Sequence, residues 1–209
     1  MAVCFFAKGC NMKRLLVLIM LTLLTACSCK TTIDKESILH VEQTQNKKLP
    51  TLETVYIDAT SAIPQYWEPG SKIVQSGTER ATLFYNLVEN TLTNPYGDIH
   101  GYMELRDETR MKPGLGLLWL LPSYYTCGLG NLLGLPWGDE SAYSQVNVRI
   151  LDKKGRLVKR YQTRIDRKEY WARWSECSED LPLRVYRMAL DKIISDMQQD
   201  YDYLYDKLK

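Results

Sequence analysis

An α+β fold, an antiparallel sheet with two helices packed on one face, follows from three features of this 209-residue sequence. Apolar residues recur at intervals of three and four over 76–92 and again over 181–208. Apolar and polar residues alternate over 52–59, 99–111 and 142–165, the last stretch being long enough for two strands and a turn. The order is β-α-β-β-β-α, and the apolar stripe of the long last helix needs the apolar face of a sheet to cover it.

Each element has its own local reasons. "LETVYIDA" (52–59) sets Val55, Ile57 and Ala59 on one face of a strand. In "SGTERATLFYNLVENTL" (76–92), Ser76 and Glu79 have the spacing of a capping box, where each side chain takes the other residue's free backbone N–H. Leu83, Phe84, Leu87, Val88 and Leu92 then form one helical stripe, which Asn94-Pro95 ends. "IHGYMELRDETRM" (99–111) alternates Ile99, Gly101, Met103 and Leu105 with Tyr102, Glu104 and Arg106. Val146, Val148 and Ile150 lead to a turn at Asp152–Gly155, and Leu157, Tyr161, Thr163 and Ile165 lead back, a β-hairpin. From Leu181 to Leu208 the stripe is Leu183, Tyr186, Leu190, Ile193, Ile194, Met197, Tyr201, Leu204 and Leu208, with Asp180 and Pro182 suited to its first turn.

Ahead of these elements stands "KRLLVLIMLTLLTACSCK" (13–30). Lys13 and Arg14 precede a run, Leu15 to Leu24, that is apolar but for Thr22, and small Thr25 and Ala26 lead into Cys27. A spanning helix needs about 20 apolar residues, so the run reads as an export signal that is cut away. Leu24-Thr25-Ala26-Cys27 resembles the lipobox of bacterial lipoproteins. The resemblance implies a diacylglycerol on the Cys27 sulfur, cleavage between Ala26 and Cys27, and an acyl chain on the new amino group. Ser28, rather than aspartate, follows the anchor. In enteric bacteria this implies the outer membrane, with the domain facing the periplasm; the outer leaflet of the inner membrane is the alternative. The residues before Met12 fit no part of such a signal, so Met1 and Met12 both stand as candidate starts.

The sequence therefore divides into a signal peptide (1–26), a lipidated anchor and flexible tether (27–50) and a single α+β domain (51–209) with an apolar insertion at 113–138. Removing 1–26 takes away Lys8, Lys13 and Arg14 and no acid, turning a formal charge of +2 into −1. Without a basic excess, nucleic acid is a poor partner. Residues 30–50 are polar, and as a coil of about 20 residues would reach roughly 25 Å.

The insertion, "PGLGLLWLLPSYYTCGLGNLLGLPWG", has no charged residue. Three readings fit it. It is long enough to span a membrane, although Pro122, Pro136 and its glycines interrupt it, and a span would separate strands that need to pair. It could be a long loop buried under the sheet. Or it seeks a surface, placing Trp119, Tyr124, Tyr125 and Trp137 against lipid headgroups or a partner in an envelope protein complex. Gly128, Gly130 and Gly134 lack the context of a nucleotide-binding loop and suit close backbone packing instead.

Catalytic chemistry finds little support. His40 lies in the tether and His100 stands alone, so a hydrolase would have to centre on His100. Asp139-Glu140 reads as a solvated turn. Arg160, Arg164, Arg167 and Lys168 read as a solvated basic run with a possible affinity for anionic headgroups. Tyr170, Trp171 and Trp174 read as an anchor over the core. No metal-ligand spacing exists, and the only added groups expected are the lipid chains on Cys27. Export to an oxidising compartment favours pairing Cys127 with Cys177, closing about 50 residues for roughly 3–4 kcal/mol. Two separately buried thiols are the alternative.

Tyr143 to Gly155, a tyrosine-bearing strand turning at Asp-x-x-Gly, completes a likeness to small uncharacterised envelope lipoproteins of bacteria. The chain resembles them in its lipobox, its strand-helix-strand start and its Gly/Pro-rich apolar stretch. The resemblance implies a non-catalytic accessory or interaction module, with a structural or lipid-contacting role as the alternative.

Overall fold

The computed structural model describes residues 31–42, 47–58, 77–114, 121, 124–125, 129–172 and 175–209. Its elements are β1 (Thr31–Ile33), α1 (Lys35–Leu39), β2 (Leu52–Asp58), α2 (Gly77–Leu87, continued by a π-helical turn over Val88–Leu92), β3 (Gly101–Pro113), α3 (Leu129–Leu132), β4 (Gly138–Asp152), β5 (Leu157–Trp171), β6 (Glu176–Ser178), α4 (Leu181–Gln199) and α5 (Tyr201–Leu208). The expected α+β architecture is present. The main sheet has the order β2-β3-β4-β5, and a small second sheet pairs β1 with β6. All neighbours in the main sheet are antiparallel except β2 and β3, which run parallel with α2 lying between them in the chain.

The long hairpin fixes the frame. β4 pairs with β3 from Gly101↔Asp152 to Pro113↔Glu140, and with β5 from Gly138↔Trp171 onward. The turn forms because Asp152 Oδ1 accepts the backbone N–H groups of Lys154 and Arg156, both at 2.8 Å. Gly155 supplies the positive φ of 74° that the turn requires. A register shift at Ile150/Leu151 then displaces the returning strand, so Leu157 faces out and the expected alternation begins properly at Tyr161.

One face of the sheet is the core. Met103, Leu105, Val146, Val148 and Ile150 lie beneath Leu83, Phe84, Leu87, Val88 and Leu92, as the helical stripe requires. Leu183, Tyr186, Leu190, Ile193 and Met197 of α4 share the same core. Four expectations are corrected. In β2 it is Leu52 and Tyr56 that face the core, while Val55 and Ile57 are exposed; both parities of that short strand carry apolar residues. Ile99 is also exposed, because β3 begins only at Gly101. The last helix is two, broken at Asp200, whose carboxylate turns aside to accept hydrogen bonds from Lys159 (2.6 Å) and Tyr161 (2.9 Å) on β5.

The fourth correction concerns the tether. Its described residues dock onto the domain. β1 runs parallel to β6, Thr32 opposite Cys177. Asp34 caps α1 by accepting from Ser37 N–H at 2.7 Å, and Arg187 reaches the carbonyls of Ile38 (2.8 Å) and His40 (2.9 Å). Leu49 is buried and its N–H donates to Leu92 at 2.8 Å. Ile38 and Leu49 are buried, and Ile33, Leu39 and Val41 pack partly against the same core, so the few apolar residues of a largely polar stretch hold the segment.

Asp200 also predicts a pH dependence. Hydrogen bonds from Lys159 and then Tyr161 hold its carboxyl below the ordinary range, so the folded value lies under the unfolded one. The resulting stability is present above about pH 4 and is lost as the pH falls through the folded value. In thermal melts across this acid range, Asp200→Asn should lose part of the wild-type decline.

Candidate contact surface

The apolar insertion leaves the sheet between the end of β3 and the start of β4. Most of its described leucine and tyrosine side chains are open to solvent, against the buried reading, whereas Gly130, Asn131 and Gly138 are buried. Leu133 is 85% exposed and Tyr124 and Tyr125 are each 81% exposed, with Leu121, Leu129 and Leu135 open as well. The reason is local. The helical turn α3 ends where Gly134 takes a φ of 101°, and the Asn131 amide turns back to the Leu135 carbonyl at 3.2 Å. Trp137 N–H then donates to the Trp171 carbonyl at 2.6 Å, tying the segment's exit to the end of β5. Among the described residues no helix is long and apolar enough to cross a membrane. Trp119, Cys127 and the anchor Cys27 lie outside the described residues, and so does Ser76 of the expected capping box.

A half-exposed polar collar surrounds this end of the sheet. Tyr170 and Trp171 are exposed on it, which corrects their expected place over the core. Lys168 pairs with Asp139 at 2.6 Å and lies 5.0 Å from the centre of the Tyr170 ring. Asp139 is therefore a buried strand residue, not part of a solvated turn. Buried Glu169 joins three elements: it accepts from Arg167 (3.3 Å), Arg184 of α4 (2.7 Å) and the Ser178 N–H of β6 (2.7 Å). The remaining basic run is exposed as expected, with Arg164 on Asp166 at 3.1 Å and Arg160 on Asn147 at 2.9 Å.

Cys177, on β6, is buried and disulfide-bonded. Every other cysteine of the chain, Cys127 included, lies outside the described residues.

One buried cluster was not anticipated. Arg80 of α2 and Asp107 of β3 form an ion pair within the core, and Asp58 at the end of β2 lies 3.4 Å from the same guanidinium. Asp107 also accepts hydrogen bonds from Tyr56 (3.2 Å) and Thr109 (2.7 Å), and the Thr109 and Ser144 hydroxyls are hydrogen-bonded to each other at 2.9 Å. Burial pushes the Asp107 carboxyl up, opposed by the Arg80 charge and then by the hydrogen bonds from Thr109 and Tyr56. Burial likewise raises the Tyr186 phenol well above its ordinary value, and the Tyr186 hydroxyl has no partner among the described residues. The signal was present in the sequence: Asp107 continues the inward parity of Met103 and Leu105, and Arg80 precedes Phe84 and Leu87 on their own stripe. The cluster clamps α2 to the sheet. His100 Nδ1 lies 3.1 Å from the Leu208 carbonyl, joining the start of β3 to the last helix. Among the described residues no group of three His, Cys, Asp or Glu is placed to hold a metal.

No protein-family model matches the chain, and no curated protein matches it. Two solved structures resemble it distantly. One is a "putative neuraminyllactose-binding hemagglutinin homolog" from Helicobacter pylori, at 11% identity and a TM-score of 0.40, with 79% of this chain and 95% of that one covered. The other is a "putative lipoprotein" from Caulobacter crescentus, at 14% identity and a TM-score of 0.24, with 51% of this chain and 66% of that one covered. Neither likeness, at a TM-score under 0.5, bears on function.

Proposed function

We propose that this chain is a lipid-anchored cell-envelope protein that works without catalysis, docking an envelope protein complex through the apolar segment 113–138. The observation that carries the reading is the exposure of Leu133, Tyr124, Tyr125 and their leucine neighbours at one end of an otherwise well-buried fold. A protein is the preferred occupant for a physical reason. Stable anchoring needs only two lipid signals, and a cysteine bearing a diacylglycerol and an acyl chain already exceeds that. An extra apolar loop adds little to membrane attachment, but it gives a partner a specific place to bind. The lysine, tyrosine and tryptophan collar favours a second reading, in which the same segment rests among lipid headgroups.

The anchor is tested first. Mass spectrometry of the mature amino terminus should find Cys27 with its lipid, and Cys27→Ala should leave an uncleaved precursor. An unmodified start at another residue would refute the anchor. Affinity purification after crosslinking should then yield one stoichiometric protein partner; lipid alone would favour the second reading. In enteric bacteria the expected place is the outer membrane, facing the periplasm.

A further inference from the structure

The outer face of the sheet, away from the helices and from the apolar segment, carries three arginines close together, Arg106, Arg149 and Arg160. Arg149 on β4 stands directly across from Arg160 on β5, and like charges so placed oppose strand pairing. Arg106 on β3 belongs to the same groove. Glu104 is the one carboxylate among the residues lining it, and it accepts from Arg149 at 3.2 Å. Arg160 donates to the neutral Asn147 amide, and among the described residues Arg106 makes no ion pair. The groove encloses about 310 Å³, and exposed Ile57 and Leu157 form its apolar walls. Both are among the side chains turned outward from the faces their sequence pattern suggested.

We propose that this groove binds a phosphate group, carried on a ligand whose apolar part rests against Ile57 and Leu157. Guanidinium forks match phosphate oxygens with paired hydrogen bonds. Three arginines against one glutamate leave an excess of two positive charges, which suits a phosphate monoester dianion better than a carboxylate. A cross-strand arginine pair held at a cost to stability is what a binding site, rather than a solvated face, would keep. The phosphate has two possible sources, a soluble phosphate ester or a phospholipid headgroup.

The test uses the full-length lipidated protein in non-ionic detergent, titrated calorimetrically with inorganic phosphate and with dihexanoylphosphatidic acid, whose headgroup is a phosphate monoester. Saturable binding of either probe is expected. Arg106→Gln and Arg160→Gln should each weaken it about tenfold, the loss of one charge-assisted hydrogen bond. Arg160→Gln should melt no lower than the wild type, because it removes the like-charge pair. Binding of phosphate points to a soluble ester, and binding of the lipid probe alone points to a headgroup. No saturable binding of either probe, or binding undiminished in both variants, would overturn the site.

Discussion

Replacing Asp107 by alanine should destabilise the domain by about 3–5 kcal/mol, the cost of leaving a buried charge without its partner. Arg80 is 1% exposed and Asp107 fully buried, so neither water nor a side-chain rearrangement can easily stand in. Asp58 is the other carboxylate near Arg80, at 3.4 Å and partly exposed, and it offers only a weaker substitute. The loss also strips Tyr56 and Thr109 of the oxygens they donate to. Removing the whole pair is a different matter. Arg80→Met with Asp107→Leu should recover most of the stability, because two well-packed apolar side chains avoid the desolvation that the ion pair incurs. Thr109 would keep its hydrogen bond to Ser144. Urea unfolding of the single and double variants checks both statements. A loss below about 1 kcal/mol in Asp107→Ala, the scale of an exposed pair, would show that the cluster does not clamp α2.

Cys177→Ala should have the second large effect. Cys177 is disulfide-bonded, and we propose Cys127 as its partner. That bond closes about 50 residues, and its loss should cost roughly 3–4 kcal/mol in the chain-entropy model. Cys29 is the competitor, because β1 lies beside β6 with Thr32 opposite Cys177. Peptide mapping without reduction decides between them. A Cys127–Cys177 peptide is expected, and a Cys29–Cys177 peptide would contradict the pairing. The bond would fasten the apolar segment to the start of α4, presenting it at a fixed place.

Regular periodicity was readable wherever packing fell on a single face. The stripe from Leu83 to Leu92 and the run from Leu183 to Leu208 name their own buried sides, and Val146, Val148 and Ile150 do so for β4. β2 was not readable in this way, since Leu52 and Tyr56 compete with Val55 and Ile57 and only the neighbouring strand settles the parity. Leu157 escaped because a register shift changes parity without any mark in composition. The docking of Ile38 and Leu49 depends on grooves that distant residues build. The Arg80–Asp107 clamp joins positions 27 residues apart, and a polar residue at a core position announces itself only when its partner is known. The apolar segment was the hardest case: composition shows that it is apolar, but coverage by the rest of the chain decides whether it is exposed.

Site-specific photo-crosslinking from Leu133 in cells producing the full chain tests the central claim most directly. A benzophenone amino acid at Leu133 would sit at the most exposed of the segment's described leucines, and one at Lys153, in the β4–β5 turn at the far end of the sheet, serves as the control. The account predicts one discrete protein adduct from position 133 and none from position 153. Adducts to lipid alone from position 133, or no adduct above the Lys153 control, would contradict it.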